Sequence, residues 1–150
     1  MSEYELKKIG MNKFRLTVDE EMITVAFFSE LKFGVEQYYD KYIVNFEISV
    51  KIEKFIKEIE KFIFNNFPFT PYSSIRRNKN NLMLKPTIRT YLKYKNKILK
   101  TIVKNKSNNV LTMKNIKKTD KLKVHIYLDH IWTKENTIGL CWYIDLIDVL

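Results

Sequence analysis

Apolar and polar positions mostly alternate along this chain with a period of two, which predicts β-strands over most of its length. Phe14–Val18 alternates, and Met22–Phe28 is a run of β-branched and aromatic residues, with Asp19-Glu20-Glu21 as the turn between them. In Tyr42–Ile48 the residues Tyr42, Val44, Phe46 and Ile48 share one face, and Ile43, Asn45 and Glu47 the other. Thr87–Lys95 and Lys97–Val103 read as two strands joined tightly at Lys95-Asn96-Lys97. The strongest hairpin is Leu122–Trp132 with Ile138–Val149, joined by residues 133–137. Its inward positions are Leu122, Val124, Ile126 and Leu128, opposite Ile138, Leu140, Trp142, Ile144 and Leu146.

One segment breaks the period. Ile52, Phe55, Ile56, Ile59, Phe62 and Ile63 recur at helical spacing, while Glu53, Lys54, Lys57, Glu58, Glu60 and Lys61 fill the other face. Ser49 supplies an N-cap, and Asn65-Asn66 with Pro68 stop the helix, so it covers about 49–66. The connections read as irregular. Residues 1–13 are polar and loose, Leu31–Asp40 is irregular or partly helical, and Pro68–Pro86 and Lys104–Lys121 are loops.

Three strands, a helix and further strands make an α+β, mostly β protein. The order is that of an OB-like or related antiparallel sheet or barrel, in a single domain spanning residues 1–150. Composition agrees, because Ile, Val, Tyr, Phe and Thr dominate and Ala26 is the only alanine. No run is long enough to span a membrane, and MSEYELKKIGMNKF lacks the apolar core of a signal peptide. With the lone Cys141 in an apolar stretch, an intracellular protein with no membrane partner is expected.

Charge changes the picture more. Residues 68–121 hold fifteen basic side chains against one acid, Asp120; that balance of +14 leaves −4 for the rest of a chain whose total is +10. A general drift towards lysine would raise the charge everywhere. Charge concentrated in one third of the chain favours a polyanion, whose counterions are released on binding.

The same segment carries the best functional pattern. On the strand Thr87–Lys95, alternation places Arg89, Tyr91, Lys93 and Lys95 on one face. Cations pair with phosphates and an aromatic ring gives a stacking platform, which is what a flexible polynucleotide needs. Tyr72, Arg76 and Arg77 repeat the combination in the preceding loop. Lys97 and Lys100 extend the phosphate contacts, and Tyr127 adds a stacking ring from the last hairpin, where Lys123, His125 and Tyr127 share a face. Those residues serve equally as the second buried face of a central sheet, and Trp132 as a platform or a plug.

Catalytic readings find less support. His125 and His130 have opposite parity on a regular strand, one cysteine excludes a Cys/His zinc site within one chain, and no glycine loop cradles phosphate. Asp129, Glu135, Asp145 and Asp148 crowd the last hairpin and suggest a metal-dependent nuclease as an alternative. Asp129 and Asp145 read more simply as solvent-facing strand positions, and no cofactor, metal site or catalytic residue is expected.

KLKVHIYLDHIWTKENTIGLCWYIDLIDVL, residues 121–150, has a long alternating strand ending in Ile131-Trp132, a polar turn, then Ile138-Gly139-Leu140 with Trp142 and an aliphatic close. It resembles the closing hairpin of OB-fold single-stranded-DNA-binding proteins of large DNA viruses. The resemblance implies a non-enzymatic protein that coats exposed strands during viral genome replication. The expected function is therefore binding of single-stranded nucleic acid, ssDNA first, with little sequence preference. An edge strand offers a route to homo-oligomers. The second reading is a viral or host protein-interaction domain whose basic surface docks an acidic protein.

Overall fold

The computed structural model describes residues 4–77 and 85–150. Before the helix come β1 (Tyr4–Gly10), β2 (Lys13–Val18), β3 (Glu21–Met22), β4 (Thr24–Ser29), β5 (Val35–Tyr38) and β6 (Lys41–Glu47). Helix α1 (Val50–Asn65) follows, then β7 (Thr70–Tyr72), β8 (Ile75–Arg76), β9 (Thr87–Leu92), β10 (Tyr94–Lys95), β11 (Ile98–Leu99) and β12 (Ile102–Lys104). A single 3-10 turn at Met113–Asn115 leads to the long strands β13 (Leu122–Lys134) and β14 (Thr137–Val149). The protein is mostly β with one α-helix among the described residues.

The strands unforeseen in the sequence are β1, β5, β7 and β8. β5 and β7 are exposed at every position, and only Leu6 and Gly10 of β1 are sheltered even in part. A strand that buries no face carries no apolar alternation, so the period-two signal is missing there. The main sheet runs β1-β2-β13-β14-β9-β6-β5, with the shorter strands added along it and β10-β11 forming a separate hairpin. It is mixed rather than antiparallel. β14 lies parallel to β7, β9 and β12, because the chain crosses over between these strands instead of turning directly back.

Direct turns are tight and lack glycine. Asp19-Glu20, Asn96-Lys97 and Glu135-Asn136 each place two successive residues at positive φ, the geometry of the two-residue hairpin turn that matches strand twist. The last replaces the five-residue connection expected at 133–137.

Ser49 caps α1, its Oγ accepting the Ile52 amide at 3.2 Å. Ile56, Ile59 and Ile63 bury against the sheet in a core with Phe46, Ile88, Val124, Leu128, Trp142 and Ile144. Phe55, assigned to that stripe by its spacing, is instead exposed. Two acids expected on the solvent face are buried. Glu53 receives two hydrogen bonds from the Arg77 guanidinium, and Glu60 accepts the Ser73 hydroxyl at 2.6 Å and the Ser74 amide at 2.8 Å. These contacts tie the β7–β8 region to the helix.

The β13–β14 ladder contains two irregularities. His125 pairs with Leu146 but Ile126 with Ile144, so Asp145 is the extra residue of a bulge in β14. Leu128 pairs with Trp142 and His130 with Cys141, so Asp129 is the extra residue in β13. Each bulge reverses the alternation beyond it. Ile147 therefore takes the core position expected of Leu146, and His130 lies on the same face as His125, not the opposite one.

Candidate nucleic-acid interface

With α1 on one face of the sheet, the other face is built from the alternate positions of β6, β9, β14 and β13. Register brings Tyr91 of β9 beside Tyr143 of β14, and Tyr143 beside Tyr127 of β13. The ring centroids are 6.2 and 6.1 Å apart, so three tyrosines from three neighbouring strands form a row across the sheet. Ile43, Cys141 and Tyr127 are buried on this side, outside the helix-facing core. Tyr91 and Tyr143 are half-buried.

Cations flank the row. Lys41 Nζ stands 5.6 Å from the Tyr91 ring centre and Lys93 Nζ 5.3 Å from that of Tyr127. Arg89, half-buried on β9, shares a notch of about 20 Å³ with Tyr72, Ser74, Tyr91, Trp132 and Leu140. Tyr72 lies 6.0 Å from Trp132, and the Arg76 guanidinium covers Tyr72 at 4.9 Å. The arrangement is a continuous band from Arg76 and Tyr72 through Trp132, Arg89, Tyr91 and Tyr143 to Tyr127 and Lys93.

Its electrostatics follow from burial and neighbours. Desolvation raises the Tyr91, Tyr127 and Tyr143 hydroxyls, so all three stay protonated at neutral pH. Lys93 is raised chiefly by its approach to the Tyr127 hydroxyl and holds its charge. Burial pushes the Cys141 thiol up to about 12, which leaves it protonated and poorly nucleophilic.

The structure thus brings together six of the residues singled out from sequence: Tyr72, Arg76, Arg89, Tyr91, Lys93 and Tyr127. Four lie elsewhere or are otherwise engaged. Arg77 is held at 2.6 Å by the Glu53 carboxylate on the helix side. Lys95 and Lys97 sit on the exposed β10–β11 hairpin, and Lys100 follows it. Tyr127 is buried under Lys93, so its ring is no open platform. Residues 78–84 of the Pro68–Pro86 loop, Lys79 included, lie outside the described residues.

Lys41 and Arg15 were not assigned from sequence. Tyr143 was legible as a strand position sharing its face with Cys141, but Lys41 and Arg15 reach this side through pairings between distant strands. Among the described residues no group of three His, Cys, Asp or Glu side chains is arranged to hold a metal ion. No helix among them is long and apolar enough to cross a membrane. No protein-family model matches the chain, and no curated protein matches it.

Proposed function

We propose that this protein binds single-stranded nucleic acid, ssDNA in the first instance, across the sheet face opposite α1. The observation that carries the reading is the in-register row Tyr91–Tyr143–Tyr127 with Arg76, Arg89, Lys41 and Lys93 on its flanks. Aromatic faces accept any base, and cations track the phosphates; a base stacked on an aromatic side chain is worth about 1–3 kcal/mol. The Tyr91–Tyr143 ring spacing of 6.2 Å exceeds the rise of about 3.4 Å per nucleotide in a duplex strand, so an extended single strand suits these two rings better than a paired one. α1 carries its apolar stripe into the core and is no major-groove reader.

An OB-related architecture is part of the proposal. It is supported by the one α-helix among the described residues, which lies between two groups of strands. Self-association would use β5, which ends the main strand order and exposes Val35, Glu36, Gln37 and Tyr38.

Charge reversal tests the function. Arg89→Glu and Lys93→Glu should each weaken single-strand binding strongly, whereas Lys97→Glu on the outlying hairpin should weaken it only slightly. Equal effects from all three would reduce the band to a diffuse basic surface. Degradation of the labelled strand on adding magnesium would favour a nuclease instead.

A further inference from the structure

A cleft of about 680 Å³ opens beside the tyrosine row, with Arg15, Thr24, Lys93, His125, Tyr127, Asp129 and Asp145 on its walls. That volume suits a small ligand or a single base. Both extra residues of the β13–β14 bulges, Asp129 and Asp145, line it, and bulges commonly re-aim side chains at functional sites. Acids and cations share the cleft without joining: neither Arg15 nor Lys93 forms an ion pair with Asp129 or Asp145. Arg15 Nε and the Tyr127 hydroxyl are buried there without a hydrogen bond of good geometry.

The two carboxylates differ. Asp129 Oδ2 lies 2.7 Å from His130 Nδ1, and that contact holds the carboxyl below its ordinary value, with Arg15 and Lys93 adding to the effect. Asp145 is exposed on its bulge, and its side chain forms neither an ion pair nor a hydrogen bond with the described residues. A ligand that fits offers adjacent N–H donors to a carboxylate and acceptors to a cation. Among the bases guanine alone presents two neighbouring donors, N1–H and the N2 amine, with O6 and N7 as acceptors close by. Thymine and uracil carry one ring N–H and no amine.

We propose that this cleft is a guanine-selective base site, with Asp145 taking the N1–H and N2–H donors and Arg15 and Lys93 facing the acceptors or an adjoining phosphate. For a base within a strand, the inference rests on the single-strand reading above and adds to it a preference at one position. The ligand chemistry is a guanine base, either in a strand or as a free nucleotide.

The test is a titration of labelled dT12, and of the same strand with one central dG, dA or dC, against the wild type and Asp145→Asn. Calorimetry with 5′-GMP and 5′-UMP runs alongside. The dG strand should bind at least about fivefold tighter than dT12. Asp145→Asn should abolish that advantage while leaving dT12 binding unchanged. Equal affinity for all four strands, with no GMP binding, would overturn the site and leave the single-strand reading standing. If no strand binds but GMP does, in preference to UMP and dependent on Asp145, the site holds for the free nucleotide and the single-strand reading falls. Binding of neither strands nor GMP overturns both.

Discussion

Trp132 and Gly139 face each other across the β13–β14 hairpin, and the indole occupies the space that a β-carbon on Gly139 would need. A methyl group there would stand 2.5 Å from Trp132 Cε2, well inside contact distance. Gly139 thereby sets the position of Trp132, and Trp132 in turn supports Tyr72 at one end of the aromatic band.

Gly139→Ala should therefore push the indole out of place. Overpacking of this kind costs about 1–3 kcal/mol. The checks are a lower unfolding midpoint and an altered tryptophan emission, with a loss of single-strand affinity larger than the loss of stability alone would cause.

Tyr91 stands at the centre of the band, so removing its ring should matter more than removing its hydroxyl. Tyr91→Ala should weaken single-strand binding by about 1–3 kcal/mol. Tyr91→Phe should bind within about twofold of the wild type, since stacking depends on the ring. Anisotropy titration of both variants separates stacking from hydrogen bonding.

Arg77 should behave as a structural residue despite its place in the basic segment. Its guanidinium holds Glu53, a buried carboxylate whose pKa that contact lowers. Arg77→Ala leaves the buried carboxylate with only its longer ion pair to Lys57, at 4.0 Å, and should lower the thermal midpoint, while single-strand affinity of the folded protein stays near wild type. A large affinity loss with unchanged stability would reverse the assignment.

Glu60 gives a pH dependence with a definite sign. Burial raises its pKa above the ordinary 4.5, against the lowering effect of Ser73, the Ser74 amide and Lys57. The folded state then holds the proton more tightly than the unfolded one, so stability from this group is full below about 4.5. It is lost as pH rises through the raised value. Glu60→Gln removes this loss. Denaturant unfolding should show the variant gaining on the wild type from pH 4 to pH 8.

Much of the frame was legible because burial imposes a period. α1 and the β13–β14 hairpin each bury a full face, and their boundaries follow from Ser49, Asn66 and the apolar alternation. β1 and β5 bury almost nothing and left no trace. Arg89, Tyr91 and Lys93 could be grouped from the sequence because strand alternation puts them on one face, whereas Arg15 and Lys41 join them through long-range pairing that no local pattern encodes. The bulges at Asp129 and Asp145 were equally hidden. A bulge is one residue without a partner, visible only once both strands are aligned, and it is what carries His130 to the side of His125. The Arg77–Glu53 pair was hidden because Glu53 sits on a helical position that spacing alone counts as solvent-facing.

The central claim is tested most directly by fluorescence anisotropy with labelled single-stranded DNA, duplex DNA and RNA at two salt concentrations. The account predicts salt-sensitive binding that favours single strands over the duplex at both concentrations, because stacking on Tyr91 and Tyr143 needs unpaired bases. Equal, wholly electrostatic binding to all three, or no binding at low salt, would contradict it.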